Sequence, residues 1–168
     1  GAYSNGSAYD VHPYILMNYN GKYNDMSTLT HELGHTMHSY LTNKKQHVAN
    51  ADYSIFVAEV ASTLNEELLN DYMLKQIKDD KTRLAILGNY LEGAKGTLYR
   101  QTQFAEFEEY SHSSVEKGEP LTKDGMCEEY LRLNEKYYGK SLKSEENISY
   151  EWARIPHFYR AFYVYKYA

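Results

Sequence analysis

Met26-Ser27-Thr28-Leu29-Thr30-His31-Glu32-Leu33-Gly34-His35-Thr36-Met37-His38-Ser39-Tyr40-Leu41 is the stretch that decides how this chain is read. Its apolar residues Met26, Leu29, Leu33, Met37 and Leu41 recur every three or four positions, the period of an α-helix. On a helix, residues four apart stand one above the other, so His31 and His35 turn two imidazoles toward one point. Glu32 is rotated about 100° from His31 and lies beside that point. Two imidazoles with an adjacent acid form the H-E-x-x-H arrangement of a zinc hydrolase, in which the acid handles a proton of a metal-activated water. Chance would produce the pattern roughly 0.03 times in a chain of this composition.

A hydrolytic zinc site takes three protein ligands and keeps one position open. Glu59, 24 residues after His35, is the best third ligand, because an antiparallel neighbouring helix returns it beside the histidines. Glu66, Glu67 and His38 compete with it. Glu66 falls two turns beyond Glu59 on the same face, where it suits orienting a ligand imidazole through the other ring nitrogen. His38 shares the histidine face but lies about 7.5 Å along the axis from a metal centred between His31 and His35, which makes it a neighbour and not a ligand. Gly34 costs about 1 kcal/mol relative to alanine inside a helix, and close approach of another backbone would account for it.

Outward from this segment the pattern is helical. Tyr14 to Tyr19 reads as a strand, with Pro13 at its start and Asn20-Gly21 as a tight turn. Asp25 or Ser27 caps the first helix, to about Leu41. Asp52 or Ser54 opens a second, to about Ile77, with Phe56, Val60, Leu64, Leu68 and Tyr72 as its stripe. A third runs from Asp79 or Asp80 to about His112, disturbed by Gly88, Gly93 and Gly96, and Gly118-Glu119-Pro120 stops it. Thr122 caps a fourth to about Tyr138, a fifth covers about Glu145 to Arg154, and a last helical stretch starts near Phe158 after Pro156. The expected fold is mainly α, a zincin-like helical core with a short amino-terminal strand or hairpin. No linker or repeat divides residues 1–168, so one unit is the default.

The 168 residues carry 18 basic and 23 acidic side chains, which argues against a nucleic-acid partner. No apolar run approaches the roughly 18 residues of a membrane span. The single cysteine, Cys127, can form no internal disulfide and fits a reducing cytoplasm. Nineteen tyrosines against five phenylalanines give apolar surface that also carries hydroxyls, suited to a peptide-binding cleft and equally to an amphipathic core. The chain opens on Gly1-Ala2 and stops at Tyr165-Lys166-Tyr167-Ala168 within an aromatic stretch, so it reads as a piece of something longer, with an aromatic end expected to self-associate.

Six blocks in order, Asp10-Val11-His12-Pro13-Tyr14, Leu16 to Gly21, His31 to Leu41, Phe56 to Glu66, Arg100 to Glu108 and Arg154 to Tyr159, resemble the oligoendopeptidase F group of the thimet-oligopeptidase-like (M3) metallopeptidases. The resemblance covers nearly the whole chain. It implies one zinc ion bound by His31, His35 and Glu59, Glu32 as general base and acid, and oligopeptides as substrates. It also implies that a late histidine and tyrosines stabilise the oxyanion. His157 matches the histidine, and Tyr163 and Tyr167 lead the tyrosines with Tyr159 behind them, since the thimet branch's glycine-rich approach is replaced here by Phe158-Tyr159-Arg160-Ala161. Family members extend beyond this region on both sides, so the chain corresponds to a catalytic-core fragment.

Two other readings compete: a catalytically idle zinc module that only holds helices together, and a metal-free helical interaction module. A structural zinc closes its shell with four protein ligands, whereas this pattern offers three and an acid. Metal content separates the metal-free reading from the rest. The strand at Tyr14 to Tyr19 could hold an extended peptide along its edge, or be an ordinary hairpin strand.

Overall fold

The computed structural model describes residues 1–168. Two short strands, β1 (Ala2–Asn5) and β2 (Tyr14–Met17), precede five helices: α1 (Tyr23–Lys45), α2 (Ile55–Gln76), α3 (Asp80–Ala94), α4 (Arg100–Glu116) and α5 (Lys123–Tyr138). This is the mainly helical class, with an amino-terminal strand pair, expected from the sequence. No helix is long and apolar enough to cross a membrane. The chain groups into two compact units, residues 1–90 and 91–168. Their division falls inside α3, and a continuous helix has no linker composition for a sequence reading to find.

In the first unit β1 and β2 pair antiparallel, Ala2 opposite Met17 and Asn5 opposite Tyr14. The hairpin partner of β2 thus precedes it, and Asn20-Gly21 is not a hairpin turn. Gly21, at φ 75°, instead swings the chain into α1, where the Asp25 carboxylate accepts the backbone N–H groups of Asn20 (2.9 Å) and Lys22 (3.0 Å). Asp25 therefore sits in the first turn of a helix that begins at Tyr23, not at its cap. Ser4 reaches Thr36 on α1 at 2.8 Å, and Gly6 lies so close to Ser39 that a Cβ would meet it at 2.3 Å.

Helices α1 and α2 run antiparallel in close contact. Tyr23 donates to Asn70 (3.0 Å), Asn65 donates to the Thr30 carbonyl (2.7 Å), and at the tightest point a Cβ on Gly34 would fall 2.6 Å from both the Ala61 carbonyl oxygen and the Ser62 Cα. Only small residues fit there, and Ser62 is fully buried. The apolar stripe of α2, Phe56, Val60, Leu64, Leu68 and Tyr72, is exposed within this chain. The polar face of Glu59, Ser62, Asn65 and Glu66 turns to α1, because that face carries the groups that pair with it.

The second unit packs Phe104 and Phe107 of α4 against Tyr130 and Leu133 of α5, with Val164 closing the core. The Phe107 ring stands edge-on to Tyr130 (5.1 Å) and Phe158 (5.2 Å). The glycine-rich end of α3 widens into a π-helical turn, Lys95–Tyr99, and continues as α4. Thr122 caps α5, its hydroxyl accepting the Gly125 N–H at 3.2 Å. After α5 come only 3₁₀ turns: Glu146–Arg154, Pro156–Tyr159 and Val164–Tyr167. The helical stretch expected from Phe158 onward is broken at Phe162, whose φ of 52° no continuing helix allows.

Candidate metal centre

The tight crossing at Gly34 brings one face of each helix of the α1–α2 pair together, and four of the residues singled out from sequence meet there. His31 and His35 stand one turn apart on α1, their Nε2 atoms 3.2 Å from each other. Glu59 on α2 places Oε2 3.4 Å from His31 Nε2 and 3.5 Å from His35 Nε2. These three form the one cluster of metal-ligating side chains of this kind in the chain. Tetrahedral coordination at zinc–nitrogen and zinc–oxygen distances of about 2.0–2.1 Å has edges of about 3.3 Å, so the three donor atoms outline one face of such a tetrahedron. Two imidazole nitrogens and a carboxylate oxygen are also the donor set that suits zinc in hydrolytic sites.

The partners of these donors fix their orientation. Glu66 meets His31 Nδ1 with Oε1, which keeps a proton on that nitrogen and leaves Nε2 as the lone-pair donor. That hydrogen bond, against the opposing effect of burial, raises the His31 pKa above the ordinary imidazole value, with the charges of Glu66, Glu59 and Glu32 adding to it. The Glu59 carboxyl is held below its usual range by the hydrogen bond to His35, with burial opposing and Ser62 assisting. Both shifts express one fact: the centre favours positive charge between its carboxylates.

Ser62 escaped the sequence reading. Its hydroxyl lies 2.7 Å from Glu59 Oε2 and 3.0 Å from the Glu59 carbonyl, one turn along α2, and it is fully buried at the crossing. The signal available in sequence was a serine three residues after an expected carboxylate ligand, too common a pattern to single out.

Glu32 is buried, at 7 % exposure. His38 is not among the three donors. Its ring stacks on Tyr53 (3.8 Å, 15° between planes), its Nδ1 is buried without a partner, and burial lowers its pKa, with His35 contributing. Glu67, the remaining competitor, is absent from the cluster.

His157, Tyr163 and Tyr167 belong to the second unit, where they gather. The His157 ring lies 5.7 Å from that of Tyr163 and 6.1 Å from that of Tyr167, and the two tyrosine hydroxyls are 3.2 Å apart. Tyr159 stands apart, donating to the Ala153 carbonyl at 2.9 Å and otherwise exposed.

The sequence profile of peptidase family M3 matches residues 1–168. The chain is 52% identical over 168 residues to oligopeptidase PepF of Bacillus subtilis (strain 168), covering all of this chain and 25% of that protein. It is 51% identical over its full length to group B oligopeptidase PepB of Streptococcus agalactiae, covering 28% of that protein. Among solved structures, oligoendopeptidase-F from Enterococcus faecium superposes with a TM-score of 0.69 at 46% identity, over 86% of this chain and 25% of that one. The chain thus spans about a quarter of the length of these relatives.

Proposed function

This chain belongs to peptidase family M3, and from that premise we propose that it is the catalytic core of a zinc-dependent endopeptidase cutting internal bonds of oligopeptides. The observation that carries the proposal is the triangle of donor atoms on His31, His35 and Glu59, with edges of 3.2, 3.4 and 3.5 Å, beside the buried Glu32. His31, His35 and Glu59 would hold the ion. When bound, zinc supplies Lewis acidity, polarising a carbonyl and lowering the pKa of a water to near neutral.

The remaining roles belong to side chains of this chain. Glu32 accepts the proton of the attacking water and delivers it to the departing amine. Glu66 holds the His31 ring in the tautomer that presents Nε2. His157, Tyr163 and Tyr167 donate hydrogen bonds to the developing oxyanion, a role that rests on the family resemblance and is supported by their clustering within their own unit. The two-stranded sheet leaves β2 with an unpaired edge, and we assign to it the main-chain binding of an extended peptide. A reducing, cytoplasmic setting is part of the same reading, on the single cysteine.

The test is zinc content measured together with cleavage of a quenched fluorescent peptide, in the full-length protein that contains this chain. One equivalent of zinc with turnover is expected, and Glu32→Gln should retain the zinc while losing at least about 100-fold in kcat. Absence of zinc would favour the interaction module. Zinc without turnover in the unmutated protein would favour the idle module.

A further inference from the structure

Glu108 on α4 is a charged side chain, 5 % exposed, that neither the metal centre nor the proposed reaction employs. Its carboxylate accepts three consecutive backbone N–H groups: Tyr163 (2.8 Å) and Val164 (2.9 Å) on Oε1, and Tyr165 (2.9 Å) on Oε2. One turn further along α4, His112 stacks on the Phe162 ring at 4.1 Å and 13°, with its Nε2 3.4 Å from the Phe162 N–H. Residues four apart on a helix share a face, so a single face of α4 grips residues 162–165.

What it grips is a strained segment. Phe162 adopts φ 52°, a left-handed conformation that is strained for a bulky non-glycine residue and persists only where surroundings hold it. Directly after it come Tyr163, then the 3₁₀ turn Val164–Tyr167. The orphan N–H groups at the start of that turn, which would otherwise need water, end on one buried carboxylate. The turn sets the spacing of the Tyr163 and Tyr167 hydroxyls, 3.2 Å apart, and both tyrosine rings lie beside that of His157.

We infer that Glu108 is the positioning residue for the Tyr163–Tyr167 pair: its carboxylate fixes the backbone of the turn so that the two hydroxyls keep one geometry, while touching no reacting atom itself. This rests on the reading of those tyrosines as oxyanion donors. Glutamine in its place keeps the shape but offers one acceptor oxygen and turns an N–H₂ toward a backbone donor, so the turn loses its anchor.

The experiment is a double-mutant cycle in the full-length enzyme, combining Glu108→Gln with Tyr163→Phe/Tyr167→Phe and reading kcat, KM and zinc content for each. Glu108→Gln alone should lower kcat at least about tenfold with KM within about twofold and zinc unchanged, because misplacing a donor costs transition-state binding and not substrate binding. In the tyrosine-to-phenylalanine background the same substitution should cost almost nothing, since there is no hydroxyl left to misplace. Equal losses in both backgrounds would make Glu108 a general structural residue and overturn the inference. If the tyrosine variants turn over normally, the oxyanion reading fails instead, and if they are slow while Glu108→Gln is not, only the positioning role fails. Should Glu108→Gln not fold, the cycle is run with Glu108→Asp, whose shorter carboxylate retains the charge and should give the same pattern with a smaller kcat loss.

Discussion

Gly34 and Ser62 meet backbone to backbone, with a Cβ on Gly34 destined to fall 2.6 Å from the Ser62 Cα. Real Cβ atoms do not approach so closely, so Gly34→Ala must push α1 and α2 apart. Overpacking of this kind costs about 1–3 kcal/mol, against roughly 1 kcal/mol gained in helix propensity. The displacement acts where Glu59 reaches the histidines, so both a lower thermal midpoint and weaker zinc binding are expected. A zinc titration of Gly34→Ala that matches the parent would refute this account of the crossing.

Glu59→Ala should weaken zinc retention far more than Glu66→Ala. The first removes a donor from the triangle; the second removes only the group that orients His31, a loss of about 10–100-fold by analogy with other orienting partners. Competition with a chelator of known affinity gives the order, and the reverse order would mean that the two roles have been exchanged.

Ser62→Ala removes a hydroxyl 2.7 Å from Glu59 Oε2 without adding bulk at the crossing. The fold should survive, while the carboxylate gains freedom to rotate. About a tenfold loss in zinc affinity is expected, with little change in melting of the metal-free protein. Unaltered affinity would show that the histidine contacts hold Glu59 in place without Ser62.

Acid should loosen the second unit through Glu151. Burial pushes its carboxyl up, but hydrogen bonds from Arg100 (2.6 Å) and Tyr130 (2.8 Å), with Arg154 joining them, outweigh burial and hold it below its ordinary 4.5. A carboxyl depressed on folding contributes stability that is fully present above the unfolded value and is lost as pH falls through the folded one. The thermal midpoint should therefore drop on going below about pH 4.5. In Glu151→Gln that acid dependence should be shallower, from a lower starting point; identical slopes would remove Glu151 from the explanation.

The grouping of His31, His35, Glu59 and Glu66 in the candidate metal centre was legible because its logic is local. Helical spacing puts His31 and His35 on one face, and a helical hairpin returns Glu59 and Glu66 to that face. What sequence left open was the place of the apolar stripe of α2: Phe56, Val60, Leu64, Leu68 and Tyr72 are exposed within this chain, while the face of Glu59 and Glu66 meets α1 at the crossing of Gly34 and Ser62, which leaves room only for small or mutually hydrogen-bonded groups. The β1 strand was invisible for a related reason: Ala2-Tyr3-Ser4-Asn5 is too short and too polar to announce a strand, and it is held through a Ser4–Thr36 contact 32 residues away. The final turns eluded the helical pattern because Glu108, 55 residues upstream of Tyr163, stabilises a bend that local propensity opposes.

All of the donors and their orienting groups lie on one helical hairpin, residues 23–76, whose helices are joined by residues 46–54. Contacts that close over so short a loop form quickly, whereas pairings between distant segments wait on a slower search. In a polypeptide emerging from its amino end, this hairpin is complete before α4 and the tyrosine-bearing turn have been made. If zinc binds this hairpin as proposed, its capture would precede the rest of the folding, and zinc supply during synthesis would then bear on the yield of native molecules.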